Sequence, residues 1–188
     1  MVLTLTGPSG TGKSSIAERL LHELPRARLL RSYTTRPPRR SDLASEYEYV
    51  LKDAFERLRL SKQFEWTADY AGNSYGTRRE DLIQALRDPL NVFISILVPE
   101  RVTTMLAVAR ELKCANRLKS FFIRPPDPAV LVERMWTRGD KPESIQKRQK
   151  ESASWERDAH ASGIPYVFIE DTDGPLELKL QAIKRHLL

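Results

Sequence analysis

The chain has 188 residues, of which 40% are hydrophobic and 30% are charged, a balance typical of one globular domain and unlike that of a disordered chain. Its net charge of +6 would suit a phosphorylated ligand, and its arginines are scattered through structured stretches rather than gathered into a nucleic-acid-binding tail. The lone cysteine, Cys114, excludes an internal disulfide and a thiolate-rich metal site. Because no apolar run approaches the roughly 20 residues of a membrane span and no signal peptide is visible, we expect a cytoplasmic protein with neither a membrane nor a nucleic-acid partner.

Strands and helices alternate at the beginning of the chain. A β-favouring run from Val2 to Thr6 is followed by helical spacing from Ser14 to Leu24 and by a second strand from Ala27 to Arg31. Between residues 33 and 79 the pattern changes to prolines, arginines and short aromatic runs around one short helix near Asp53 to Ser61. We expect residues 33–79 to form a small inserted lobe.

Alternation resumes after this lobe. In chain order we expect a strand at 91–98, a helix at 100–112, a strand at 118–123, a helix at 127–137, a helix ending near His160, a strand at 166–169 and a closing helix at 176–188. Such alternation predicts an α/β fold, a doubly wound parallel sheet flanked by helices, with ligands at the carboxyl ends of the strands. Residues 1–32 and 80–188 would form the core of this single domain.

The most informative motif lies between the first strand and the first helix. Residues 7–14, Gly-Pro-Ser-Gly-Thr-Gly-Lys-Ser, match the phosphate-binding pattern G-x-x-x-x-G-K-[ST] at every fixed position. Inward-facing backbone N–H groups and the helix N-terminus would surround phosphate oxygens, with Lys13 reaching the β- and γ-phosphates and the Ser14 hydroxyl binding Mg²⁺. The residues predicted to bind the phosphates of ATP are Ser9, Gly10, Thr11, Gly12, Lys13 and Ser14.

A second phosphate site is predicted on a proline-stiffened segment downstream. Arg36 and Arg39 lie three residues apart in Ser-Tyr-Thr-Thr-Arg-Pro-Pro-Arg, residues 32–39. A guanidinium can bind phosphate through two parallel hydrogen bonds, and proline lowers the entropy cost of holding it ready. On composition alone, a solvated basic loop remains the alternative.

Together these stretches resemble the guanylate kinase family, nucleoside monophosphate kinases that pass the γ-phosphoryl of ATP to GMP. The resemblance extends over essentially the whole chain and implies that Ser32, Arg36 and Arg39 bind the phosphate of the acceptor nucleotide. Tyr47 stands where the family has a phosphate-binding tyrosine, although one residue is missing just before it.

Two further stretches look like the base-reading part of that family. Phe64-Glu65-Trp66 resembles F-x-E-W, and residues 72–77, Gly-Asn-Ser-Tyr-Gly-Thr, resemble G-N-x-Y-G-[ST]. A carboxylate accepts hydrogen bonds from guanine N1–H and N2–H₂ and a hydroxyl can donate to O6, so the likeness implies that Glu65 and Thr77 read guanine. Tyr75 is a further expected acceptor-site residue; taken without the resemblance, Glu65 and Thr77 would be ordinary surface or capping residues.

Basic residues near the carboxyl half complete the expected machinery. Arg134, Arg138 and Arg148 match the family's lid and post-lid arginines, which implies that they close over the triphosphate and stabilise transferring charge, with a lid at about residues 137–149. Together with Lys13 and Arg36 they form the expected catalytic set. A helix with a solvated basic face is the alternative.

The chain also departs from the family pattern. Ser95 and Leu97 occupy the two acidic positions of the family's L-D-I-D-x-Q-G strand, and Glu170 replaces an asparagine near the adenine of the donor. Four functions therefore stay open: a GMP or dGMP kinase, a ribose 1,5-bisphosphate kinase, a monophosphate kinase with shifted base preference, and a non-catalytic guanylate kinase-like binding module. The intact phosphate loop favours an enzyme, and Glu65 with Thr77 favours a nucleotide acceptor.

Overall fold

The computed structural model describes residues 1–38, 42–43, 45–70, 72–170 and 176–187, apart from the side chain of Tyr70. Within them the strands are β1 (Val2–Thr6), β2 (Ala27–Leu29), β3 (Ser32–Thr34), β4 (Tyr47–Tyr49), β5 (Phe64–Tyr70), β6 (Asn73–Arg78), β7 (Val92–Ile96), β8 (Leu118–Ile123) and β9 (Tyr166–Ile169). The helices are α1 (Lys13–Glu23), α2 (Lys52–Leu60), α3 (Arg79–Arg87), α4 (Pro99–Glu111), α5 (Pro128–Thr137), α6 (Pro142–Ser152), α7 (Trp155–Ala161) and α8 (Leu176–Lys184). None of these helices is long and apolar enough to cross a membrane.

A five-stranded sheet in the order β2-β7-β1-β8-β9 forms the core, and every strand pairing in it is parallel. Apolar side chains cover both faces. One cluster joins Leu3 and Leu5 of β1 to α1 and α8, and the other joins Val2 to Met105 of α4. The predicted α/β fold with a doubly covered parallel sheet is confirmed, and it brings the carboxyl ends of β1, β7 and β8 to one edge.

A second, four-stranded sheet in the order β4-β3-β6-β5 occupies the stretch predicted as an inserted lobe. β3 pairs in parallel with β4, whereas β3–β6 and β5–β6 are antiparallel. Helix α2 covers it through Phe55, which is fully buried and stacks on Phe64 at 4.6 Å between ring centroids. The pairing of β5 with β6 is irregular between Phe64 and Trp66, which leaves Glu65 at a bulge.

Two sequence-based expectations for the helices differ from the structure. The single helix expected to end near His160 is two helices, α6 and α7, because the chain breaks at Ala153 and Ser154 after a helix that starts from Pro142. Pro142 lies in the stretch expected to form the lid, and it starts α6 because proline is favoured in the first turn of a helix. Helix α3 was not predicted, although Leu82, Ala85 and Leu86 give it a buried face at helical spacing.

Candidate functional site

In the loop between β1 and α1, glycines adopt backbone angles that other residues rarely adopt. Gly7 has φ of 142°, and a Cβ there would lie 2.3 Å from the carbonyl oxygen of Ile123 on β8. Gly12 caps α1 in the left-handed region with φ of 83°. These two glycines let the loop turn tightly against the sheet and present the N-terminus of α1 to a ligand.

Lys13 is held inside this loop. Its Nζ donates to the carbonyl oxygens of Gly7 and Pro8, each at 2.7 Å, and the Thr11 hydroxyl donates to the same Pro8 oxygen at 3.0 Å. Burial, followed by the positive charges of Arg138 and Arg148, lowers the pKa of Lys13 to about 7. The loop is therefore a site where added negative charge would be strongly favoured.

Two of the predicted lid arginines contact the loop directly. Arg134 on α5 donates from Nη1 to the Gly10 carbonyl at 3.2 Å, and Arg148 on α6 donates from Nη1 to the Ser9 hydroxyl at 3.2 Å. The third, Arg138, forms an ion pair with Asp140 instead. Its charge still lowers the pKa of Lys13, so all three guanidinium groups act on the phosphate loop.

An open cleft of about 480 Å³ lies beside this loop, at the carboxyl end of β7. It is bounded by loop residues, by the end of β7 and by helices α6 and α7; its lining includes Gly7, Lys13, Leu97, Val98, Arg148 and Trp155. A neighbouring cleft of about 390 Å³ runs between the loop and the prolines that precede α5. A phosphate bound by the loop would thus face the end of β7, where ligands of parallel α/β sheets bind.

Arg36 is almost fully covered, with 5% of its side chain exposed. Its Nη2 donates to Asp42 Oδ1 at 2.7 Å, and its guanidinium lies 5.1 Å from the ring centroid of Tyr47. Asp42 also accepts from the Tyr49 hydroxyl at 2.7 Å. Burial, and then the adjacent Glu46, raise the pKa of Tyr47, so its hydroxyl stays protonated and able to donate. Arg39, predicted beside Arg36, lies outside the described residues.

Strands β3 and β6 bring three other predicted acceptor residues together. The hydroxyls of Ser32 and Thr77 are 3.4 Å apart, and Thr77 is fully buried. The ring of Tyr75 lies 6.3 Å from that of Tyr47 in an edge-on arrangement. The second sheet thus gathers hydroxyl groups from distant parts of the sequence on neighbouring strands.

Glu65 has a partner that the sequence did not reveal. Its Oε2 accepts from Arg79 Nη1 at 2.6 Å, and Arg79 Nη2 also donates to both carboxylate oxygens of Glu111 at 2.7 Å. The partners of Arg79 are 14 and 32 residues away along the chain, so no local pattern points to them. Asp42 was also missed, although it lies only six residues from Arg36 in the sequence, which was a usable signal.

The departures from the family pattern are buried or ion-paired. Ser95 and Leu97 are 3% and 6% exposed, so these two positions offer no carboxylate to the cleft, although Glu100 at the start of α4 lines it. Glu170 pairs with Arg124 at 2.5 Å, and Arg124 also binds Glu156 at 2.6 Å. Glu170, which the resemblance places near the donor adenine, is thus half of an ion pair.

A metal-binding cluster of three acidic, histidine or cysteine side chains is absent from the described part of the chain. Ser14 is exposed at the start of α1 beside the phosphate loop. Mg²⁺ in kinase sites keeps several waters and is bound by one or two protein groups together with substrate phosphates. A single hydroxyl at this position therefore fits a metal that arrives with a nucleotide.

Comparisons with known proteins agree with this geometry. A family model described as guanylate kinase matches residues 1–184. The chain is 36% identical over 162 residues to the guanylate kinase of Nitratidesulfovibrio vulgaris, covering 85% of this chain and 74% of the relative. It is 33% identical over 185 residues to that of Nostoc sp., covering 97% and 87%. The crystal structure of guanylate kinase from Anaplasma phagocytophilum superposes with a TM-score of 0.69 at 22% identity over 100% of this chain and 84% of the other, which supports the fold.

Proposed function

The chain belongs to the guanylate kinase family of phosphotransferases, and from this premise we propose that it transfers the γ-phosphoryl of Mg·ATP to GMP or dGMP. The observation that carries the proposal is the convergence of Lys13, Arg134 and Arg148 on one phosphate loop. If these arginines only formed a solvated basic helix face, their guanidinium groups would point to solvent and would not contact the loop. The proposed substrates are small nucleotides of the cytoplasm, so we expect neither a nucleic-acid nor a membrane partner.

On the donor side, the residues of this chain would act through position and charge. Backbone N–H groups of the loop would bind phosphate oxygens, and Lys13 would leave its two carbonyl partners to contact the β- and γ-phosphates. Arg134, Arg138 and Arg148 would approach the migrating phosphoryl group as the lid closes and would exclude water. This role is supported by the hydrogen bonds that Arg134 and Arg148 donate to Gly10 and Ser9 of the loop.

On the acceptor side, Arg36, Arg39, Ser32 and Tyr47 would hold the phosphate of the monophosphate in line with the donor. The phosphate oxygens would take over the hydrogen bond that Arg36 now donates to Asp42. Thr77 would donate to guanine O6 and Glu65 would accept from the guanine N–H groups, while Tyr75 supports Tyr47 through the contact of their rings. Phosphoryl transfer would be direct, without a covalent enzyme intermediate, and it needs no general base.

The Ser14 hydroxyl would be the ligand that this chain supplies to Mg²⁺, and the metal would contribute neutralisation of charge on the donor phosphates. The placement of Ser14 in the first turn of α1 supports this assignment.

Buried Ser95 and Leu97 favour a second candidate function. Without carboxylates at positions 95 and 97, the acceptor base would be read by fewer charged groups, with Glu100 the carboxylate left at this edge of the cleft. This would suit a monophosphate kinase of shifted base preference or a ribose 1,5-bisphosphate kinase. A non-catalytic binding module is disfavoured because all fixed residues of the phosphate loop are retained.

One assay separates these functions. ADP release would be measured with GMP, dGMP, AMP, CMP, UMP, dTMP and ribose 1,5-bisphosphate as acceptors, with and without Mg²⁺. We expect the highest kcat/KM for GMP or dGMP, loss of turnover without Mg²⁺, and no turnover in Lys13→Ala. Turnover of ribose 1,5-bisphosphate alone would contradict the nucleotide acceptor, and absence of turnover with every acceptor would indicate the binding module.

A further inference from the structure

The ion pairs around Arg79 connect the two sheets of the protein. Glu65 belongs to β5 of the second sheet, whereas Arg79 begins α3 and Glu111 ends α4, both of which pack on the core. Arg79 donates from Nη1 to Glu65 and from Nη2 to Glu111, so one guanidinium holds both carboxylates. Its backbone N–H also donates to the carbonyl of Gln63 at 3.0 Å. Arg79 therefore holds the segment around Glu65 by its main chain and by its side chain.

Burial distinguishes the Glu65–Arg79 pair from an ordinary surface ion pair. Exposed pairs contribute little, but only 12% of the Glu65 side chain is exposed, and a carboxylate this buried needs a fixed partner. Glu65 also lies at the bulge of β5, between the pairings of Phe64 with Arg78 and of Trp66 with Thr77. Bulges commonly redirect a side chain beside a functional site.

The pairing leaves one carboxylate oxygen for a ligand. Arg79 contacts Oε2 of Glu65, and within the described ranges Oε1 accepts no hydrogen bond. Glu111, with 60% of its side chain exposed, binds Arg79 through both oxygens and fixes the plane of its guanidinium. We propose that Arg79, oriented by Glu111, is a positioning residue that directs Oε1 of Glu65 toward the acceptor base. This inference rests on the proposed function, in which Glu65 reads guanine.

The proposal predicts that substituting Arg79 or Glu111 weakens recognition of the base, although these residues act on it only through Glu65. GMP affinity would be measured by titration calorimetry without ATP for the wild type, Glu111→Gln and Arg79→Gln. We expect GMP to bind roughly tenfold more weakly to Arg79→Gln, because a charge-assisted hydrogen bond to Glu65 is lost, and about threefold more weakly to Glu111→Gln, whose ion pair with Arg79 is more exposed. Arg79→Lys keeps the charge and should recover part of the affinity.

Glu80→Gln is a matched control for Glu111→Gln, because Glu80 follows Arg79 directly in the first turn of α3. The Glu80 side chain is 62% exposed and pairs with Arg78 at 3.0 Å, so its substitution removes the same charge and a comparable surface ion pair. GMP should bind to Glu80→Gln as tightly as to the wild type. A general effect of net charge would instead change GMP affinity equally in Glu111→Gln and Glu80→Gln, and would strengthen it, because each variant loses a negative charge and GMP is an anion.

Two measurements separate positioning from structural damage. Ribose 5-phosphate carries the phosphate but no base, so its affinity should stay unchanged in Glu111→Gln and Arg79→Gln, and thermal unfolding should show that both variants fold. In a Glu65→Gln background, adding Glu111→Gln should change GMP affinity by less than about twofold, because its effect passes through Glu65.

Unchanged GMP affinity in both variants, or an equal loss for ribose 5-phosphate, would overturn the positioning role. A wild-type protein that binds GMP but does not phosphorylate it would overturn the proposed function while leaving the positioning role supported by the binding data. A wild-type protein that does not bind GMP at all would overturn both.

Discussion

The ammonium group of Lys13 donates to the carbonyl oxygens of Gly7 and Pro8 and has a pKa of about 7. A neutral amine has two N–H donors, which matches these two bonds. Phosphate charge favours the protonated form, so ATP binding at pH 8 should take up a proton, and ATP affinity should fall as pH rises above 7. Calorimetry in buffers of different ionisation enthalpy would count the proton. Lys13→Arg, which stays charged, should lose this uptake; equal uptake in both proteins would contradict the assignment.

The same lowered pKa has a consequence for stability. Between about pH 7 and the ordinary lysine pKa near 10.5, the unfolded chain holds a proton on Lys13 that the ligand-free native state lacks. The contribution of Lys13 to the free energy of unfolding therefore rises with pH across that interval. Urea unfolding of the wild type and of Lys13→Met at pH 7 and pH 9 should show a smaller increase in the variant. If the free energy of unfolding rose equally in both proteins, a group other than Lys13 would be titrating.

A substitution at Gly7 would test whether the backbone conformation of the phosphate loop requires glycine. A Cβ would lie 2.3 Å from the Ile123 carbonyl at a φ of 142°, so Gly7→Ala should lower the free energy of unfolding by at least about 2 kcal/mol. Gly163→Ala is the control, because Gly163 has φ of 68° with open space around it and should cost only about 1 kcal/mol. Urea denaturation compares them. Equal losses would mean that the contact with β8 does not constrain the loop.

At the scale of elements, helix α6 brings Arg148 to the phosphate loop. Arg148 reaches Ser9 from this helix and is braced by the Ser144 hydroxyl one turn earlier at 3.2 Å. Arg148→Met should therefore lower kcat by roughly 10²-fold, as expected for a group that stabilises transferring charge. Lys150→Met removes the same charge from an exposed position of α6 and should leave kcat near the wild-type value. Steady-state kinetics with saturating ATP and GMP would separate the two.

Elements with a self-contained local pattern were predictable from the sequence. The bounds of β1, β8 and β9 agree with the structure, because each is an apolar run flanked by breaking residues. The boundary between α6 and α7 was missed since a two-residue break leaves helical periodicity nearly in phase. The phosphate loop was recognisable from its fixed spacing, whereas the link from Glu65 through Arg79 to Glu111 depends on packing between elements that are distant in sequence.

At the scale of the whole molecule, the chain passes between the two sheets twice, at residues 30–31 and 78–79. Leu30 N–H donates to Ile94 of the core sheet, whereas Ser32 N–H donates to Glu46 beside the second sheet, so the hydrogen-bonding partners change sheet within two residues. We expect these two short crossings to act as a hinge that closes when ligands bridge the sheets. This expectation stays a prediction of the sequence and of the connectivity.

Closure can be measured in solution. The radius of gyration from small-angle X-ray scattering should decrease when GMP and a non-hydrolysable ATP analogue are both present, and less with either alone, because only the pair spans both phosphate sites. Arg36→Met should abolish most of the decrease, because the acceptor phosphate would lose its hydrogen bonds to the guanidinium group on the second sheet. Arg57→Met, on the exposed side of α2, removes the same charge and should leave the decrease intact. A radius that does not change with both ligands bound would mean that the two sheets form a rigid body and that the acceptor site is already assembled.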